Sequence, residues 1–244
     1  REYPDASSVV SSYFALSQSL YSKAPRAHTL PEEDGVRPQR LDMLERAAGI
    51  LTDFLTLYPE DPLADDAAFS LANAFLDMEN YPLVVTLSTR FARRYADSVL
   101  ASSFRYMEAL GHFWRKAYDK ALDAAVEVAG GDSKDKTFAQ YIVGQIHHAQ
   151  GNPGEAIDWY GKVAEDYPDA AQAIAYFEDT EIAMEEVTVV RPGDPVVLPL
   201  AYRNIREAFL QVYRVDLMKL YLREKNLSRI AGIHLAGIAP ELEA

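Results

Sequence analysis

The apolar side chains of this chain follow two different spacing rules. From about residue 7 to residue 184 they recur every three or four positions, the period of an amphipathic helix. From about Glu185 they alternate or cluster in short bursts, as in β-strands. Val9, Val10, Tyr13, Leu16 and Leu20 make one stripe, which predicts a helix capped at Asp5 or Ser7 and reaching about Lys23. Leu41, Leu44, Ala48, Leu51 and Phe54 predict a second, over about 39–57. Between them, Pro25 to Pro38 holds three prolines, a glycine and no apolar period, and reads as a loop.

From Tyr58 to Pro168 the helical pattern itself repeats. One copy runs through Tyr58-Pro59, Ala72, Tyr81 and Val84; the next runs through Tyr95-Ala96, Ala109, Tyr118 and Ala121. The third passes Phe138, Gly144, Pro153 and Ala156 and closes at Tyr167-Pro168. Ala72, Ala109 and Gly144 are 37 and then 35 residues apart, and each is followed 12 residues later by Val84, Ala121 or Ala156. Such a period predicts stacked helical hairpins, here about 62–78 with 81–95, 98–115 with 118–129, and 134–150 with 153–166. A ninth helix over about 169–184 would cap the stack, because an end hairpin otherwise exposes its apolar face.

These units resemble tetratricopeptide (TPR) repeats over residues 39–183, most clearly in Ala139-Gln-Tyr-Ile-Val-Gly-Gln-Ile-His-His-Ala-Gln-Gly-Asn-Pro-Gly-Glu-Ala-Ile-Asp-Trp-Tyr160. The phrasing Phe54-Leu-Thr-Leu-Tyr-Pro-Glu-Asp-Pro-Leu-Ala-Asp-Asp-Ala67 resembles the subgroup found in bacterial envelope proteins. The resemblance implies a mainly α fold, a right-handed superhelix of TPR-like hairpins whose first helices line a concave groove. It also implies a scaffold for protein partners, since function in such folds resides in the groove chemistry.

The second rule predicts strands at Val187–Val190, Val196–Tyr202 and Ala208–Val215, with a turn at Arg191–Asp194, a short helix to Lys225 and a strand within Leu227–Ile238. This stretch resembles the first strands of a macroglobulin-type β-sandwich. The family's thioester needs a cysteine, and the chain has none. A sandwich takes about seven strands, so the chain's own continuation or another chain is expected to complete the sheet. The expected organisation is a solenoid over 1–184 (irregular hairpin 1–58, repeats 59–168, capping helix 169–184) and a small β-rich segment over 185–244.

Charge sharpens this picture. The eight basic and eight acidic side chains of 185–244 cancel, so residues 1–184, with 16 basic and 29 acidic, carry the entire net charge of −13. An acidic array is unsuited to phosphate backbones, and no apolar run is long enough to span a membrane. A protein or peptide partner, basic or amphipathic, is expected instead. The chain begins at Arg1 rather than Met, which fits a processed or trimmed N-terminus. With the envelope resemblance, this suggests a periplasmic, envelope or extracellular setting, with the cytoplasm as the alternative.

Two sets of residues are candidates for a site. Glu108 and His112 lie four apart on one predicted helix, and His147 takes the equivalent place one repeat later. A metal site or an enzyme subunit would need them to converge at about 2.0–2.2 Å on one ion, whereas a polar pair within the stack needs no ligand. No nucleophile elbow, Walker loop, dinucleotide fingerprint or H-E-x-x-H accompanies them, so no catalytic residue or cofactor is expected. The second set is an aromatic row: Phe69, Tyr106 and Tyr141 each precede the small residue by three. Asn73, Asp77, Phe113, Trp114, Phe138, Gln145 and His148 fall on or beside it. Rings backed by amides and acids suit capture of an extended peptide or a helix, or they fill the gaps between repeats. A purely structural spacer is the third reading.

Overall fold

The computed structural model describes residues 6–24, 36–184, 189–191, 193–224 and 239–243. It divides into two units, one reaching to Phe177 and one starting at Glu178.

In the first unit, α1 (Ala6–Lys23) pairs with α2 (Val36–Leu57). Three regular hairpins follow: α3 (Ala64–Asp77) with α4 (Tyr81–Arg94), α5 (Ala101–Trp114) with α6 (Tyr118–Gly130), and α7 (Lys136–Ala149) with α8 (Pro153–Gly161). Helix α9 (Pro168–Glu178) closes the series. The repeat spacing places Ala72, Ala109 and Gly144 at the centre of α3, α5 and α7, with Val84, Ala121 and Ala156 opposite on the partner helices; all six are buried. These close approaches knit Ala, Val, Ile and Phe side chains of neighbouring hairpins into overlapping apolar clusters.

The three hairpin turns are built alike. Glu79, Lys116 and Gly151 each take a left-handed backbone, at φ 58°, 59° and 76°. The next N–H then reaches back five residues, Asn80 to the Phe75 carbonyl, Ala117 to His112 and Asn152 to His147, each at 2.9 Å. This six-to-one bond is the Schellman stop, which satisfies helix-end carbonyls and turns the chain into its second helix.

Several expected boundaries move. Helix α1 begins at Ala6, so Ser7 lies inside it; Asp5 and residues 25–35 lie outside the described residues. Helix α2 starts at Val36, with Pro38 in its first turn, where a missing N–H is harmless. Helix α8 ends at Gly161 rather than 166, and the chain continues through shorter-range turns such as Val163 N–H to the Tyr160 carbonyl at 3.0 Å. The capping helix ends at Glu178, not Met184.

In the second unit, β1 (Glu181–Met184) pairs antiparallel with β2 (Leu200–Arg203), Ile182 opposite Tyr202. The strand pattern therefore starts several residues before Glu185. Arg203 holds this pair together, binding the Glu181 carboxylate at 3.0 Å and the Asp179 carbonyl at 3.3 Å. The expected strand at Val196–Tyr202 is confined to its end, because Pro199 has no N–H to donate to a ladder. The expected Ala208–Val215 strand shortens to β3 (Gln211–Val212), paired with β4 (Leu242–Glu243). Val189 and Val190 are in no strand; Val187, Thr188 and the stretch 227–238 lie outside the described residues. The turn at Arg191–Asp194 is formed, with Asp194 N–H on the Arg191 carbonyl at 3.1 Å. Asp216 caps α10 (Leu217–Glu224), accepting from the N–H groups of Met218 and Lys219 at 3.1 Å. None of this unit's side chains whose exposure is described is buried.

Candidate functional site

The first helices of successive hairpins pack directly on one another, α1 on α3, α3 on α5 and α5 on α7. No pair of successive second helices comes as close, and between α4 and α6 a cleft of about 630 Å³ opens. Successive first helices therefore lie closer together than successive second helices, and the TPR resemblance implies that this closer side is the inner one.

The aromatic residues expected to form one row on that side separate into three groups. Phe69 turns edge-on to Phe104 at 6.0 Å and joins the core between α3 and α5, with Phe91 and Tyr95. Phe113 and Trp114 sit at the edge made by the hairpin turns. There Trp114 stacks on Tyr81 at 5.9 Å, and Phe113 meets Tyr118 at 6.0 Å. The third group is continuous. Tyr106 meets Phe138 at 6.1 Å, Phe138 meets Tyr167 at 6.3 Å, and Tyr167 stacks on Tyr141 at 4.6 Å. The chain of rings continues through Tyr160 to His148 and Phe177. Phe138 is 50% exposed in the middle of it, so these rings fill inter-repeat gaps and still offer a face to solvent.

Burial raises the phenols of this group. Tyr160 is pushed up to about 12, first by burial and then by Tyr141. Tyr106 is raised by burial with help from Tyr167 and Asp135. Tyr141 and Tyr167 are also raised chiefly by burial, and a hydrogen bond from Gln145 opposes the shift at Tyr141. The ring surface is therefore uncharged at neutral pH and presents hydroxyls rather than phenolates.

The polar companions are only partly free. The Asn73 amide donates to the Phe69 carbonyl of its own helix at 3.0 Å. Asp77 is tied to α2, its carbonyl accepting from Arg40 at 2.7 Å and its carboxylate 3.7 Å from the same guanidinium. His148 lies 3.5 Å from the Tyr160 hydroxyl. Sequence reasoning missed Tyr167, Tyr160 and Arg40. A usable signal existed for Tyr167, because its counterpart Tyr95 also follows a second helix and stacks on a ring of the stack.

Glu108, His112 and His147 do not assemble into a metal-binding group among the described residues. Nor do Glu108 and His112 form the expected pair. Arg105 takes the Glu108 carboxylate at 2.5 Å and also binds Glu127. The buried Nδ1 atoms of His112 and His147 have no hydrogen-bond partner among the described residues. Burial holds the His112 imidazole below its ordinary pKa against the pull of Glu108, with Arg115 and Lys120 adding to the lowering.

Among solved structures, the chain is similar to MamA, with 14% identity over 70% of this chain and 81% of that one and a TM-score of 0.53. It is also similar to a tetratricopeptide repeat protein from Parabacteroides merdae, with 16% identity over 68% and 58% and a TM-score of 0.48. A putative kinesin light chain from Podosopora anserina with nearly identical TPR-like repeats gives 15% over 71% and 90%, again at 0.48. At these identities the likeness concerns the fold, and only the first is close enough to carry it. No protein-family model matches the chain, and no curated protein matches it. The fold is mainly α: a packed series of TPR-like helical hairpins followed by a small strand-bearing segment.

Proposed function

We propose that this chain is a non-catalytic protein-interaction scaffold that takes an extended peptide or a helix on the inner, first-helix face. The observation that carries the reading is the ring chain Tyr106–Phe138–Tyr167–Tyr141, uncharged at neutral pH and open to solvent at Phe138. Such a surface gives a partner broad apolar contact at little entropic cost, with hydroxyls and the Gln145 amide to set register. The second unit adds a different mode. Its apolar residues, Phe209 at 86% exposure among them, together with the open edges of two-stranded sheets, suit pairing with a further polypeptide strand. A macroglobulin-like identity for that unit and a bacterial envelope setting remain part of this proposal, resting on the sequence resemblances.

The test is binding of a co-purifying partner by Phe138→Ala combined with Trp114→Ala, two half-exposed rings from different groups, compared with each single variant. Loss through Phe138→Ala with unchanged helical circular dichroism supports the inner face. Loss through Trp114→Ala alone moves the site to the turn edge, and full binding by the double variant removes the proposal.

A further inference from the structure

Helix α4 is out of character with the array that contains it. In a segment holding 29 acidic against 16 basic side chains, Tyr81–Arg94 has three arginines and no carboxylate. Arg90 and Arg93 make no ion pair among the described residues. Arg94 is aimed by its neighbours, donating to the Glu60 carboxylate and the Pro59 carbonyl, both at 3.1 Å.

Arg90 and Arg94 stand four apart, on the rim of a groove between α2 and α4, on the outer side of the stack. Its volume is about 270 Å³. Leu55 comes from α2, Phe75 from the floor helix α3, and Leu83 and Leu87 from α4. No carboxylate of the described residues lines it, although Glu60 pairs with Arg94 at its rim. Leu83 is exposed at 38%, and Leu55, Phe75 and Leu87 are half-buried. The groove arises because α2 and α4 both flank α3 without packing on each other as the first helices do.

We infer that this outer groove is a docking site for an acidic amphipathic helix. A helix laid along α4 in this groove would rest about 8–10 Å from the helices it touches, with side chains at i, i+3, i+4 and i+7 facing the apolar floor. The choice of an acidic partner rests on charge complementarity: Arg90 on the rim makes no ion pair among the described residues, Arg94 beside it engages the exposed Glu60 through one guanidinium nitrogen, and paired Arg–carboxylate contacts are strong and directional. A basic helix would meet the Arg90 guanidinium and be disfavoured there. The inner face and this groove therefore select partners independently, on opposite sides of the stack.

The test uses a labelled synthetic helix of about five turns, leucine at the apolar positions and glutamate elsewhere, with fluorescence anisotropy on the full chain. A lysine version of the same peptide is the control. The glutamate peptide should bind, and the lysine peptide should bind at least about tenfold more weakly. Arg90→Glu and Leu83→Asp should each weaken the glutamate peptide by about tenfold or more, while Phe138→Ala leaves it unchanged. Equal binding of both peptides, no effect of Arg90→Glu, or loss through Phe138→Ala would overturn the inference. So would a dimer in light scattering that Leu83→Asp converts to a monomer, since the groove would then belong to a second copy of this chain.

Discussion

Gly144 shows at the residue scale why the repeat needs small side chains. A Cβ there would sit 2.6 Å from Cδ1 and 2.8 Å from Cε1 of Tyr160, a buried ring in the partner helix. Neither side can yield without moving α7 away from α8. Gly144→Ala should therefore destabilise the array by about 1–3 kcal/mol, the usual cost of overpacking. Gly49, inside α2, has open space around its Cβ position, and there alanine should stabilise by about 0.5–1 kcal/mol. Thermal or urea melts of the two variants check the contrast; equal effects would mean that the α7–α8 approach is not as close as described. The need for smallness at Ala72, Ala109 and Gly144 was legible from spacing alone. That Arg105 rather than His112 would claim Glu108 was not, because three- and four-residue offsets are equally near on a helix and only the Glu127 position across the hairpin decides between them.

At the scale of elements, the hairpin turns concentrate strain at two places. Glu79 and Lys116 hold the left-handed conformation that Gly151 holds in the third repeat. For a residue with a Cβ this costs roughly 1–2 kcal/mol. Glu79→Gly and Lys116→Gly should each raise stability in a denaturant melt, by up to about 1 kcal/mol once the glycine's greater freedom in the unfolded chain is deducted. Gly151→Ala should lower it. A fall in stability for Lys116→Gly would mean that its side chain does more for the turn than its backbone costs. The existence and order of the helices of the array were readable from their 3.6-residue period, and their ends moved by only a few residues. The strands were harder. Over five or so residues a helix and a strand pattern overlap, so Ile182 and Met184 could be assigned to the capping helix until their pairing with Tyr202 and Leu200 was seen.

For the whole molecule, the two units differ in how they bury apolar surface. The array has a continuous interior, whereas the described part of the second unit leaves Val189, Val197, Phe209, Met218 and Leu222 largely exposed. Burying such surface is worth about 25 cal/mol per Å², a strong drive toward association. Ending the chain after Glu178 should leave a monomeric, cooperatively melting helical array, and the 244-residue chain should self-associate or bind a further strand. Light scattering of both decides it. A monomeric full chain with protected amides across Leu200–Arg203 would show that the second unit needs no further polypeptide.

The sequence by itself determined the helical-repeat class, the order of the hairpins and the small-residue contacts, because period and steric size are local properties that repeat copy after copy. Only the tertiary structure decided how one expected aromatic row divides into three ring groups, which depends on the rotation between neighbouring hairpins. It also decided that an acidic chain presents a groove with an arginine rim. Net charge sums over a segment, whereas a docking surface depends on which few side chains the splay of α2 and α4 brings to one place.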